Sequence, residues 1–383
     1  MNSIRFLILK GFPVLMFTDL GSDIFSSDVL LNLGRILRTI ILIFFVFYSV
    51  FHSKEVFQFK LTPYIYIFLI IQFLYLFTDR DFLEGFWIFS KMLFWGLGCM
   101  ILYLQIKYEY ITYEEFTNML HINVIIAAIF SVIFFLTPSL TDYNLAAYTV
   151  LFMFPLLLYN SNGFRNNTVI LIIASIAIII SLKRGALIAF SLSNLIYFIY
   201  SVRYLPSVRT VFVGLIFFMS IIGLGIYMLQ NNENVDKDRF SEDQFDVNNE
   251  KAGSGRVGLY TRLYESWRSS DIETQIYGFG NQEDSWRNLG RRTHAHSDIF
   301  GFLYNHGYIG IFMIFILYFS IFRFLSNFRQ NLSKSQISSI FITLVILVLV
   351  NLYSGLLRSQ DAIYLFAIFP IFQGVLECES QES

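Results

Sequence analysis

Long apolar runs recur along most of this chain, and they constrain its fold more than any other feature. The hydrocarbon core of a bilayer is about 30 Å thick, so a crossing helix needs roughly 20 mostly apolar residues. Hydrophobic residues make up 56% of the 383 residues and charged residues only 14%, a balance that is not typical of a soluble domain. The pattern predicts an all-α polytopic membrane protein.

These runs predict about twelve transmembrane helices, with boundaries good to a few residues. The first run is interpreted as a retained span, because "MNSIRFLILKGFPVLMF" shows no small-residue cleavage site after its apolar part. No internal repeat is found, and several runs are short enough to be re-entrant or kinked. The predicted spans lie near 4–18, 30–51, 61–78, 85–106, 117–137, 143–159, 167–182, 186–200, 208–229, 297–322, 337–356 and 361–376.

A single long hydrophilic segment interrupts the apolar runs, and it sets the predicted domain organisation. The first part of that segment, 231–250, is acidic and favours a solvated stretch. We predict transmembrane helices 1–9 over 1–229, a large outer-face loop containing short helices over 230–296, transmembrane helices 10–12 over 297–376 and a short cytoplasmic tail over 377–383.

The second part of the hydrophilic segment changes character from Lys251. The stretch "GSGRVGLYTRLYESWRSSD" predicts a glycine-rich entry followed by an amphipathic helix. Tyr260, Tyr264 and Trp267 fall at i, i+4 and i+7 and so share one helix face. Such a face either packs against the membrane interface or stacks on sugar rings, and the residues leave both interpretations open.

Lysine and arginine in the short loops set the predicted orientation. Loops that hold the excess of these residues are cytoplasmic in membrane proteins, and the alternate set of loops here carries aspartates instead. We therefore predict cytoplasmic termini and a long loop on the outer face. The basic set comprises Lys54, Lys60, Lys107, Arg165, Arg203, Arg209, Arg323, Arg329 and Lys334.

Arginine and histidine side chains collect on that predicted outer face. Guanidinium groups fork onto phosphate oxygens, so an arginine cluster beside a membrane suits a lipid diphosphate. A neighbouring histidine can take a proton from a hydroxyl group near neutral pH. The set comprises Arg184, Arg256, Arg262, Arg268, Arg287, Arg291, Arg292, His294 and His296.

Some ionisable residues near the outer face have two open interpretations. Arg35 and Arg38 begin the second predicted span, where they either snorkel to lipid headgroups or bind substrate. Arg291 and Arg292 likewise either contact lipid phosphates or assist in binding a substrate. His306 falls on a different side of its helix from His296 and is predicted to be structural.

Motifs for metals and nucleotides are not evident in the chain. It has no HExxH, no useful Cys/His spacing and no GxxxxGK[ST] loop, so we expect no metal and no cofactor. Cys99 and Cys378 indicate no disulfide framework. A formal net charge of −1 gives no reason to expect a nucleic-acid partner.

Three stretches, "SGRVGLYTRLYESW", "IYGFG" and "HSDIFGFLYNHGYIGIF", together resemble the signature of the O-antigen polymerase and O-antigen ligase superfamily. Members carry an outer-face Gly-Arg pair before an aromatic helix, then a Gly-x-Gly turn, then a histidine that begins a span. An arginine at another outer span end follows a small polar residue. The matching positions here are Ser254-Gly255-Arg256, Gly278-Phe279-Gly280, His296 with Gly307 and Gly310, and Ser181 with Arg184.

The resemblance implies a metal-independent, lipid-linked glycosyltransferase of the bacterial inner membrane. Its donor glycan is carried on undecaprenyl pyrophosphate at the periplasmic face, and the lipid pyrophosphate leaves when an acceptor hydroxyl attacks the anomeric carbon. The resemblance implies that Arg184 and Arg256 hold the pyrophosphate, with Arg262 as the alternative to Arg256. It also implies that His296 is the base or orients the acceptor. The family also implies a chain-length regulator and a repeat-unit flippase as partners beside the bilayer.

The polymerase activity is favoured, because the high Phe, Ile and Tyr content and the loose matching outside the motifs resemble the divergent polymerases. An O-antigen ligase, which transfers glycan to lipid A–core, is the alternative within the superfamily. A polysaccharide transporter or flippase is the alternative from another class. Transporters typically show internal repeats and polar residues at mid-membrane depth, and this sequence shows neither.

Overall fold

A computed structural model describes residues 2–136, 145–159, 167–181, 183–202, 252–286, 295–328 and 332–382. Every regular element within those ranges is a helix. A π-helical turn, Leu7–Gly11, joins the first two helices. The described helices, in chain order, are α1 (Asn2–Phe6), α2 (Phe12–Phe25), α3 (Asp28–Phe51), α4 (Ser53–Val56), α5 (Thr62–Leu76), α6 (Phe82–Lys107), α7 (Tyr113–Leu136), α8 (Leu145–Leu157), α9 (Thr168–Ile180), α10 (Arg184–Val202), α11 (Ala252–Arg268), α12 (Ile272–Tyr277), α13 (Glu283–Trp286), α14 (Asp298–Phe328), α15 (Lys334–Tyr353), α16 (Ala362–Phe366) and α17 (Ile368–Glu382).

The apolar runs of the sequence coincide with helices wherever the structure describes them. Within the described ranges, 6 helices are long and apolar enough to cross a membrane, and α5, α8, α9 and α10 are shorter apolar helices. The predicted span 208–229 and the acidic stretch 231–250 lie outside the described residues. The all-helical membrane fold is confirmed, and the count of about twelve spans stays a prediction.

Helix α6 is the centre of the bundle, and it packs against α3, α5, α16 and α17. Its residues from Phe94 to Lys107 are buried in an unbroken run. The Trp95 indole is fully buried, stacks on Phe366 with ring centroids 4.8 Å apart, and donates from Nε1 to the Leu357 carbonyl over 3.0 Å. The membrane core therefore holds the loop that follows α15.

The bundle has two ends that differ in their loops. One end, here named the loop end, holds α11, α12 and α13 together with the segments 77–81 and 354–361; its contacts include Asn281 N to Thr78 Oγ1 over 3.0 Å. The opposite end, here named the far end, holds an ion pair between Lys107 and Glu377 with 2.8 Å between Nζ and Oε2. The loops predicted to face outward therefore share one end of the molecule.

A kink in α14 explains the spacing of the glycine motif. Gly307 interrupts the helix with φ 58° and ψ −145°, and a Cβ there would lie 2.4 Å from the Gln275 carbonyl oxygen of α12. The kink leaves carbonyl groups without helical partners, and the backbone N–H of Phe279 donates to Tyr304 over 3.0 Å. Gly280 N–H donates likewise to Asn305. The Gly-x-Gly turn thus docks on the break that Gly307 creates.

Candidate functional site

Several helix termini meet at the loop end. Helix α11 packs on the first turns of α14, and α10 packs along α15, so the start of α10 comes to the C-terminal end of α15. A Cβ at Gly185 would lie 2.5 Å from the Tyr148 hydroxyl and 3.9 Å from the Tyr353 Cβ, which places α8 at the same point. The residues that the sequence predicted for catalysis come from these termini.

Arg256 projects from α11 to the end of α15. Its side chain is half-buried, and Nη1 donates to the Tyr353 carbonyl over 2.6 Å. The last carbonyls of a helix carry partial negative charge and lack helical donors, so a guanidinium is a stable partner for them. Tyr148 and Tyr260 lie within electrostatic range of the same guanidinium. Among the residues that the structure describes, no carboxylate forms an ion pair with Arg256.

Tyr260 lies one turn after Arg256 and ties α11 to two neighbours. Its hydroxyl donates to the His296 carbonyl over 3.1 Å and lies 3.3 Å from the Leu352 carbonyl. Its ring stacks on Phe300 with centroids 4.5 Å apart and an angle of 9°. Burial raises the pKa of Tyr260 to about 12, so the hydroxyl stays a protonated donor at neutral pH.

His296 lies in the short segment that leads into α14, and its side chain is exposed. Its backbone has φ 50°, in the left-handed region that few residues other than glycine adopt. The neighbours on both sides are fixed: Ala295 N–H donates to Asp284 Oδ2 over 2.9 Å, and Ser297 Oγ donates to the Asn351 carbonyl over 3.0 Å. The segment therefore presents the histidine from a rigid backbone.

Asp298 begins α14 and joins it to the loop after α15. Its side chain is fully buried, and Oδ2 accepts from Leu356 N–H over 2.5 Å and from Leu357 N–H over 2.8 Å. Gly355 precedes these donors with φ 72°, a conformation that suits glycine. The carboxylate therefore holds the start of α14, two residues after His296, against the loop that follows α15.

Asp284 is the centre of a second buried network behind His296. It has no exposed surface, and Oδ1 accepts from Asn305 Nδ2 over 2.8 Å. Arg358 forms an ion pair with it, with 3.2 Å between Nη1 and Oδ2. Since the same carboxylate holds Ala295 N–H, the network links the position of the histidine segment to α14 and to the 354–361 loop.

The loop before α13 is held by hydrogen bonds and an ion pair to the connection between α5 and α6. Asp79 accepts from Asn281 Nδ2 over 2.9 Å and from Gln282 Nε2 over 2.6 Å, and Glu283 pairs with Arg80. Asp79 and Asp81 form an Asp-x-Asp sequence, although the sequence analysis predicted no metal motif. Asp81 caps the first turn of α6, so both carboxylates have structural partners.

Arg184 is at the start of α10, beside Gly185, and therefore reaches the same corner through its backbone. Its side chain lies outside the described residues, as do Arg291 and Arg292. The first turn of a helix attracts anions because its N–H groups are unpaired. Within the residues that the structure describes, no group of three or more potential metal ligands is found.

The remaining predicted residues of α11 divide between its two sides. Trp267 is 5% exposed, packs with Leu259 and Leu263, and donates from Nε1 to the Gln275 carbonyl over 3.2 Å. The structure therefore favours the packing interpretation for this indole. Tyr264 is 40% exposed, and Arg262 is exposed on another side of the helix from Tyr260.

Arg35 and Arg38 lie away from this corner on α3. Arg38 is 4% exposed, and its Nη2 donates to Asp19 Oδ1 over 2.7 Å and Oδ2 over 2.9 Å. Arg35 is exposed, and both guanidinium groups lie over the Trp87 ring, 5.4 Å away for Arg35 and 5.1 Å for Arg38. Arg38 thus turns inward to a carboxylate and does not snorkel to the surface.

His306 is buried as the sequence predicted. It is 1% exposed, stacks on Phe302 with centroids 5.1 Å apart, and has Nε2 within 3.5 Å of Gln72 Nε2. Sequence reasoning missed the roles of Tyr148, Asp284 and Asp298. The sequence offered only a weak indication of the two acids: Asp298 lies two residues after the histidine in "HSDIF", and Asp284 lies in "NQEDSW".

A family model described as O-antigen ligase matches residues 169–315, which is less than half of the chain. The matched segment runs from α9 through the loop end into α14, and it contains Arg184, Arg256 and His296. No curated protein matches the chain. The matched segment therefore resembles the O-antigen ligase and polymerase superfamily, and it carries the residues of the loop-end corner.

Proposed function

We propose that this protein is an O-antigen polymerase that joins oligosaccharide repeat units carried on undecaprenyl pyrophosphate at the periplasmic face of the bacterial inner membrane. The observation that carries the proposal is the meeting of Arg256, the start of α10 at Arg184 and the rigidly held His296 at one corner of the loop end. That corner brings cationic groups and a titratable ring to the end of the membrane bundle.

The proposed chemistry is a single displacement at the anomeric carbon of the donor sugar. The acceptor hydroxyl oxygen forms the new bond to that carbon as the bond to the pyrophosphate oxygen breaks, and the pyrophosphate takes the bonding electrons. His296 accepts the hydroxyl proton or orients the acceptor, since imidazole titrates near neutral pH. Arg256 and Arg184 stabilise the charge that develops on the leaving diphosphate, so the proposal assigns this task to arginines and not to a metal.

The preference for the polymerase over the ligase rests on the sequence resemblance. An O-antigen ligase, with lipid A–core as acceptor, is the second candidate, and the family match does not distinguish the two. Both reactions break the same bond to the lipid diphosphate, so they share the demands on Arg256 and His296. The difference lies in the acceptor.

The first experiment removes the proposed groups one at a time. We expect His296→Ala and Arg256→Ala to reduce long O-antigen chains by at least about a hundredfold, the typical loss for a general base or a charge-stabilising donor. The measurement is the lipopolysaccharide ladder on a gel at matched membrane levels of each variant. Arg268→Ala is the matched control, because it removes an exposed arginine from the last turn of α11 and should leave the ladder unchanged.

A wild-type ladder from either site variant would contradict the proposed roles. A deletion strain then separates the two candidate reactions. Core carrying one repeat unit means that polymerisation was lost, whereas bare core with accumulated lipid-linked polymer means that the ligase was lost. The second result would replace the polymerase proposal with the ligase.

A further inference from the structure

A cavity of about 260 Å³ lies at the far end, between the start of α5 and the end of α14. Five of its lining residues carry a polar or charged group: Lys60, Tyr64, Ser320, Arg323 and Asn327. The aliphatic ring of a proline and the ring of a buried phenylalanine complete it. None of the described lining residues is acidic, so the described lining carries a positive charge.

The two cations of this cavity have no acidic partner among the residues that the structure describes. Within the described part of the chain, no ion pair involves Lys60 or Arg323. Arg323 Nη1 donates to the Tyr64 hydroxyl over 3.2 Å, a neutral contact that orients the guanidinium and leaves its charge in place. An arginine has five N–H donors, so this contact uses only part of its capacity.

The depth of the cavity matches a headgroup layer. Arg323 follows Asp298 along α14, and at 1.5 Å per residue the two are separated by roughly 37 Å of helix, close to the thickness of a bilayer. Apolar side chains are exposed one turn closer to the membrane centre on both helices: Ile67 is 43% exposed and Phe319 is 51% exposed. A ligand with a phosphate group and acyl chains would therefore find a surface for each part.

We propose that this cavity binds a phosphate group, supplied by an anionic phospholipid of the leaflet at the far end. Basic pockets between transmembrane helices are typical sites for such headgroups. A soluble phosphate would meet the same cations, but it would make no use of the exposed apolar surface beside them. The proposal does not depend on the function of the loop end, which lies at the opposite end of the bundle.

The test measures lipid retention by the purified full-length protein in detergent with native mass spectrometry. We expect tighter binding of phosphatidylglycerol than of zwitterionic phosphatidylcholine, and we expect the double variant Lys60→Gln/Arg323→Gln to lose roughly thirtyfold in phosphatidylglycerol affinity. Lys54→Gln is the matched control, because Lys54 is an exposed cation of the α4 segment outside the cavity and should keep wild-type affinity. The thermal midpoint of each variant reports whether it is folded.

Inorganic phosphate alone distinguishes the two sources. If it binds in the millimolar range, fails in the double variant, and phosphatidylglycerol shows no preference, the phosphate site stands and its ligand is soluble. If the folded double variant retains phosphatidylglycerol as tightly as the wild type, or if neither ligand binds preferentially, the proposal is overturned.

Discussion

Two arginines at the same end of the bundle, Arg256 and Arg38, have opposite electrostatic surroundings. Arg256 is half-buried and its contact is a neutral carbonyl at the end of α15, 2.6 Å from Nη1. Arg38 is almost fully buried, and both oxygens of Asp19 accept from its Nη2. Gln360 from the 354–361 loop donates to the same carboxylate.

The difference bears on which cation could bind the diphosphate of the proposed donor. A guanidinium whose charge has no acidic partner keeps its attraction for an anion, whereas a paired guanidinium has lost most of it. Arg38 in turn is a structural requirement, because removal of one partner of a buried pair leaves the other charge uncompensated. The comparison predicts loss of activity at Arg256 and loss of stability at Arg38.

The largest effect on stability is expected for Arg38→Ala. Asp19 would remain as an unpaired charge, with a cost of about 3–5 kcal/mol in the free energy of unfolding. Unfolding of the purified protein in mixed micelles by increasing SDS measures this cost. A decrease of less than about 1 kcal/mol in the free energy of unfolding would contradict the structural role. Arg38 would then again be a candidate for substrate binding.

The double variant Arg38→Met/Asp19→Leu sharpens that comparison. Replacement of a buried ion pair by apolar residues of similar size is often neutral for stability. We therefore expect the double variant to regain the stability that Arg38→Ala loses. If the proposed glycan polymerisation returns as well, Arg38 acts only in the fold. Restored folding without polymerisation would show that its charge binds substrate.

Asp284→Asn is expected to have an intermediate effect. The amide keeps the size of the carboxylate but removes its charge. It replaces one of the two oxygens and so weakens the contacts of Asp284 Oδ2 with Arg358 and with Ala295 N–H, at a cost of about 2 kcal/mol in the free energy of unfolding. Polymerisation should fall more than membrane level does, because the histidine segment loses its support. Glu283→Gln is the control: its partner Arg80 is 52% exposed, so that change should cost less than about 1 kcal/mol. Equal losses from the two changes would argue against a special role of Asp284.

Tyr260→Phe is expected to have the smallest effect. The change removes the hydroxyl that donates to the His296 carbonyl and leaves the ring stacked on Phe300, at a cost of about 1 kcal/mol. Initial polymerisation rates should fall by roughly fivefold if this hydroxyl orients the histidine segment. Tyr277→Phe, at an exposed phenol, should leave the rate unchanged. An unaltered rate in Tyr260→Phe would show that Asp284 and Ser297 suffice to hold the segment.

Much of the fold was predictable because membrane insertion depends on local hydropathy. The helix that carries Arg256 was also predicted from periodicity, and the Gly-x-Gly turn was expected from the family resemblance. The partners were not predictable: Arg256 meets Tyr353 97 positions away, and Asp298 meets Leu356 58 positions away. No pattern along the chain indicates such pairs.

The sequence alone determined that the chain forms membrane helices, that basic and acidic loops alternate, and which arginines and histidines stand near span ends. These properties depend on each residue and its near neighbours. Only the tertiary structure decided that Arg38 is neutralised by Asp19 and that Arg256 is not. It also decided that Trp267 is buried and that His296 is held from three sides. Each of these depends on which distant side chain fills the adjacent space, and packing settles that question only when all the helices are in place.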